Sequence, residues 1–170
     1  MFFDRLFKPR PARLAGQALY AAAAVQARRP GFYTALRAPD TREGRFELYT
    51  LHVILLVERL KGQGEVAAET SQALFDAYVR GLDDAFHELG VGYVSVPKKM
   101  KKLGEAFYGR LRSYDQARDP AALEPLIART LGEEADAAGL ARYVAAARDH
   151  LAAQPLEQVL AGSVTWPAPN

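Results

Sequence analysis

The chain has 170 residues, is 49% hydrophobic and 25% charged, and so has the composition and length of one ordinary globular domain rather than a disordered or fibrous segment. It contains no cysteine, which excludes disulfides, thiolate nucleophiles and thiolate metal sites, and its three histidines (His52, His87, His150) are too scattered to suggest a His-rich metal site. The formal charge of +2 hides blocks of opposite sign: residues 1–50 carry nine basic against four acidic side chains, 65–88 one against six, 97–118 seven against two, and 119–170 three against seven. Such alternation polarises a surface, which bears on partner choice more than on fold.

Taken in chain order, the start "MFFDRLFKPRPARL" lacks the apolar core of a signal peptide. An alanine-rich helix is expected over Ala12–Arg28, stopping before Arg29-Pro30-Gly31. The loop that follows has room for one helical turn. A second helix, Arg42–Lys61, contains the longest uncharged apolar run, Leu48–Val57, and ends at Gly62, a C-terminal cap. That run is ten residues, about half a membrane span. The chain is therefore expected to be soluble and cytoplasmic, with contact to a membrane surface left open. Being apolar nearly all round, this helix should occupy the centre of the core.

A third helix, Ala68–Leu89, carries Leu74, Phe75, Tyr78, Val79, Leu82, Phe86 and Leu89 at steps of three and four, one buried stripe. Gly90 reads as its cap. "VGYVSV" is an extended connector, because Val96 precedes proline and is biased out of helical geometry. Ser95 or Val96 caps a fourth helix with Pro97 at its first position and the stripe Met100, Leu103, Phe107, Leu111, Tyr114. Asp119-Pro120 opens a short fifth helix. A sixth spans Ala135–Ala153, and a last piece Pro155–Leu160 precedes an irregular tail. No segment alternates with period two. The class is all-α, a single irregular bundle of about six helices.

Four candidate chemistries fail on context. "GVGYVS" has Gly-x-Gly but follows a helix and lacks the third glycine and the preceding strand of a dinucleotide site; a cap and a tight connector explain both glycines. Asp83-Asp84 resembles half of a magnesium–diphosphate motif, and Asp84-x-x-His87 one arm of a di-iron site, but no second cluster exists. His52 lies in the most apolar helix with no nucleophile at a diagnostic spacing, which makes it a buried, hydrogen-bonded histidine. The expectation is no catalytic residue, no metal and no cofactor.

What remains is "PKKMKKLGEAFYGR". Lys98, Lys99, Lys101 and Lys102 crowd the start of a helix, where the backbone dipole disfavours positive charge by about 0.3–1 kcal/mol each. Lys98 and Lys102 also repel across one turn; Lys101 and Lys102 can be softened by Glu105. Gly104 and Gly109 each weaken a helix interior by about 1 kcal/mol relative to alanine. Gly104 could admit another helix closely, and nothing internal explains Gly109. Phe107 points inward and Tyr108 sideways. Residues Lys98, Lys99, Lys101, Lys102, Phe107, Tyr108, Gly109 and Arg110 are thus the candidate binding edge, for an anionic partner: RNA, phospholipid headgroups or an acidic protein face.

The segments "LYAAAAVQARRPGFYTAL", "PDTREGRFELYTLHVILLVERL" and "SQALFDAYVRGLDDAFHELGVGYVSVPKKMKKLGEAFYGRLRSYDQA", in this order and spacing, resemble the ubiquinol–cytochrome c chaperone family from about Leu19 to Ala117. Its most specific elements are Gly90-Val91-Gly92, Val96-Pro97-Lys98, Met100-Lys101 and Ala106–Arg110. The chain departs from the pattern at Tyr93, where the family carries an acid, and at Phe86 and His87, where it carries Leu and Arg, so a local ion pair is lost. The resemblance implies an assembly factor for cytochrome b of respiratory complex III, with no enzymatic step. Implied partners are cytochrome b or its nascent chain, a ribosome or anionic membrane surface, and a small helper protein, but no DNA. The implied organisation is an extension at 1–18 leading into the first helix, a family core at 19–117, and helices at 118–170 packed on the same domain. A generic RNA- or membrane-surface-binding helical module is the alternative.

Overall fold

The computed structural model describes residues 11–88 and 96–170; the side chains of 86–88, 96, 97, 99 and 100 fall outside that description. Residues 1–10, the Gly90 cap, the connector through Ser95 with Tyr93, and the side chains of Phe86, His87, Lys99 and Met100 therefore lie outside the described residues. Within them the chain is all-α: α1 Pro11–Ala27, α2 Gly31–Thr34, α3 Arg42–Leu60, α4 Glu65–Glu88, α5 Val96–Gln116, α6 Pro120–Leu131, α7 Ala137–Ala153 and α8 Leu156–Leu160. The six long helices follow the apolar periodicity. The helical turn that the first loop has room for is α2.

Helix starts are set by side-chain caps that satisfy otherwise orphaned amides. Thr41 accepts from Gly44 N at 3.1 Å, Asp119 from Ala122 N at 2.8 Å, and Asp136 from Gly139 N at 2.9 Å. After α3 the chain reverses through Gly62, whose φ of +74° is one an L-side chain rarely adopts. Helix α4 begins three residues before the sequence expectation. The early residue Val66 faces solvent and so gives no stripe signal.

Helix α3 is the axle of the fold, packing against α1, α4, α5, α6 and α7. Leu48, Leu51, Val53, Ile54, Leu55, Leu56 and Leu60 are all buried. Two of its buried polar residues, His52 and Thr50, are satisfied internally. His52 donates from Nδ1–H to the Leu48 carbonyl (2.7 Å) and accepts at Nε2 from the Tyr143 hydroxyl (2.8 Å). The Gln26 amide donates both to that hydroxyl and to the Pro167 carbonyl, at 3.0 Å each. Burial pushes the His52 pKa down to about 4, against a smaller upward pull from the Leu48 carbonyl, so the ring is neutral. It is the buried, hydrogen-bonded histidine expected from sequence. Thr50 and Tyr78 share a further buried hydrogen bond at 3.0 Å.

Glu58 and Arg148 form a two-toothed ion pair at 2.9 Å, nearly inaccessible to solvent. The same guanidinium donates to the carbonyls of Tyr114 and Ala117, at 2.7 and 2.8 Å. One arginine of α7 thus caps the end of α5 and ties it to α3. The tail beyond Leu160 is irregular, as expected, but it is held. Trp166 packs edge-on against His52, and the Thr165 amide donates to Gln154 at 2.8 Å.

Candidate docking surface

The candidate edge belongs to α5, which the body grips unevenly. Its carboxy-terminal half is fixed. Phe107 is 2% exposed, inside an aromatic cluster with Phe75 and Tyr78 at centroid distances of 5.1 and 5.2 Å. Arg110 pairs with Glu47 of α3 through both carboxylate oxygens, one bond at 2.8 Å, and its guanidinium lies 5.7 Å from the Phe46 ring centroid. Tyr114 is buried. Phe107 holds α5 to α4, and Arg110 holds it to α3. Phe107 and Arg110, expected at the edge, therefore sit on its inner side.

The amino-terminal half differs. Lys98, Lys101 and Lys102 are exposed, and no hydrogen bond or ion pair engages them among the described residues. The pairing with Glu105 that the spacing allows does not form. Tyr108 is 51% exposed. Its ring leans on Phe75, centroids 5.4 Å apart, and on Phe107 at 5.8 Å. A β-carbon added at Gly104 or Gly109 would meet nothing within 4 Å. Neither glycine is required by internal packing.

Two hollows flank α5. The smaller, about 560 Å³, is a furrow between α4 and α5 lined by Phe75 and Val79 of α4 and by Lys101, Gly104, Glu105, Tyr108 and Arg112 of α5. The larger, about 1100 Å³, opens on the other flank, where Leu103 of α5 meets Leu82 of α4, Tyr20 of α1, and Phe46 and Tyr49 of α3. Its rim carries Arg28 and Arg42 beside Glu43, and the Arg45–Asp40 pair (2.6 Å). The Tyr49 hydroxyl is buried without a hydrogen-bond partner. Gly81 lets the Tyr20 ring lie against the α4 backbone, because a β-carbon there would collide with its hydroxyl.

Sequence reasoning found the lysines, Tyr108 and both open glycines, but neither hollow. Each is assembled from residues far apart in the chain, so no local pattern marks it. The stripe on α4 gave a partial signal: it is wider than one contact covers, and Phe75, Val79 and Leu82 at its margins stay half-buried. Among the described residues no three His, Asp or Glu side chains come together, and no helix is long and apolar enough to cross a membrane. Asp84 lies close enough to Tyr20 for its charge to help raise that tyrosine's pKa, after the larger effect of burial.

Comparison with known proteins agrees with this architecture. A family model described as ubiquinol-cytochrome C chaperone matches residues 34–166, well past the Ala117 limit of the motifs noted above. The added stretch includes α6, which packs on α5 and α3, and α7, which packs on α3. The crystal structure of the Cbp3 homolog from Brucella abortus superposes with a TM-score of 0.85 at 30% identity, over 99% of this chain and 96% of that one. No curated protein sequence matches.

Proposed function

This chain belongs to the ubiquinol–cytochrome c chaperone family, and from that premise we propose that it is a non-enzymatic assembly factor for cytochrome b of complex III. The observation that carries the reading is the outward face of α5. It is a cationic, aromatic edge on which Lys98, Lys101, Lys102, Gly104 and Gly109 serve no side-chain contact among the described residues. A protein that escorts a membrane subunit needs apolar surface for its client and basic groups for acidic loops or headgroups. Both occur here within one helix width. In this reading the protein works in the cytoplasm at the inner face of the membrane. Lys98, Lys99, Lys101, Lys102, Tyr108 and Gly109 meet the partner, while Phe107 and Arg110 fix the helix that presents them.

Deleting the gene should lower cytochrome b and complex III and leave the other respiratory complexes at wild-type levels. Supplying the chain with Lys98, Lys99, Lys101 and Lys102 all changed to glutamine should restore folded protein but only part of the cytochrome b. Wild-type complex III in the deletion strain would refute the reading. Salt-sensitive binding of the purified protein to RNA or anionic vesicles, with complex III intact in the deletion strain, would favour the generic surface-binding alternative.

A further inference from the structure

We infer that the furrow between α4 and α5 is a docking site for one amphipathic helix of a partner protein, with acidic residues along the edge that meets α5. The inference rests on the proposal that the outer face of α5 is where this chaperone engages a partner, and it names the chemistry of that partner.

Lys98, Lys101, Glu105, Tyr108 and Arg112 recur at steps of three and four, so they form one exposed stripe along α5. Beside it, Phe75 and Val79 of α4 form an apolar floor that their own fold leaves half-covered. Gly104 sits low between them with open space where a side chain would be. Two neighbouring helices with an apolar floor and a small residue at the bottom form the receiving side of helix-in-groove recognition. A glycine there lets an incoming backbone approach closely.

Charge sets the character of that helix. On the α5 side Lys98, Lys101, Lys102 and Arg112 stand against Glu105. Along the adjoining stretch of α4, Asp76, Arg80 and Asp83 are mixed, and Asp76 already accepts from Gln72 at 2.9 Å. An acidic edge therefore complements the net positive α5 better than the mixed α4. The bound helix is oriented about its own axis as a result.

The same geometry argues against the two rival anionic partners. A bilayer surface meets lysine tips but has no use for a glycine between the two helices. Single-stranded RNA needs an aromatic face to stack on, whereas Tyr108 leans on Phe75 and Phe107 and forms a wall.

The test places photoreactive p-benzoylphenylalanine at Tyr108 in the full chain, irradiates cells that make it, and sequences whatever is attached. The expected adduct is a protein segment whose apolar residues recur at helical spacing with Asp or Glu along one edge. Charge reversal at Lys98→Glu, Lys101→Glu and Arg112→Glu together should cut its yield about tenfold, and changing the segment's acids to lysine should restore it. Gly104→Leu should abolish the adduct in a protein that melts no lower than wild type. An adduct to nucleotide or lipid, a segment without an acidic edge, no adduct at all, or indifference to Gly104→Leu would each overturn the inference. If cytochrome b still falls on deletion of the gene, those outcomes discard the helix and leave the chaperone reading standing.

Discussion

The polar groups where α3 meets α7 and those along the outer edge of α5 both adjoin apolar core, yet they are handled in opposite ways. At the inner site, Glu58 and Arg148 answer each other and two backbone carbonyls, and His52, Tyr143 and Gln26 form a closed chain of hydrogen bonds. Along the outer edge, Lys98, Lys101 and Lys102 have no internal partner, and two glycines leave space that nothing in the fold fills. A buried polar group without a partner costs free energy, and the ion pair and the His52 network meet that demand. A solvated cation carries no such requirement. The contrast teaches where selection for folding ends: one region is explained by the chain's own stability and the other is not.

If the division is real, changes at the inner site should cost stability first. The largest effect is expected from Glu58→Ala, which leaves the Arg148 guanidinium nearly buried without its carboxylate. Loss of one partner of such a pair costs about 3–5 kcal/mol, readable as a shift in the urea midpoint with the slope unchanged. A loss below about 0.5 kcal/mol, the range of a neutral surface change, would place this pair with the surface and erase the contrast.

His52 gives the next largest effect, through pH. Its pKa is about 4 in the folded protein against an ordinary 6.5 when unfolded, so between those values the unfolded chain binds more protons. Stability is therefore full above pH 6.5 and is lost as pH falls toward 4. The loss amounts to roughly 3 kcal/mol, at about 1.4 kcal/mol per pH unit of difference. Denaturant titrations at pH 7 and pH 4.5 should show the drop, and His52→Gln should remove most of the difference between them. An equal slope in the variant would mean that other groups carry the acid sensitivity.

Much of the fold is legible in the sequence because helices announce themselves locally. The run from Leu48 to Val57 marks α3 as central, and the steps of three and four locate α4 and α5. What escapes is whatever depends on distant residues meeting. Arg110 reads as part of a docking motif, yet it pairs with Glu47, 63 positions earlier. The tail reads as irregular, and it is; that Trp166 lies against His52 becomes visible only in three dimensions. On α4, Phe75, Val79 and Leu82 read as one buried stripe, whereas they line the two hollows. The lysines and Gly104 were visible in sequence because they break local rules. The furrow was not, because half of it comes from α4.

The comparison is tested most directly at Gly104, where stability and function are expected to move in opposite directions. Replacing an interior helical glycine favours the helix by up to about 1 kcal/mol, and no atom lies in the way of the new β-carbon. The measurement is the thermal midpoint of purified Gly104→Leu beside the cytochrome b content of cells whose only copy of the protein is that variant. The expected result is a midpoint equal to or above wild type together with cytochrome b reduced toward the level of the deletion strain. Wild-type cytochrome b in those cells would contradict the assignment of this edge to a partner.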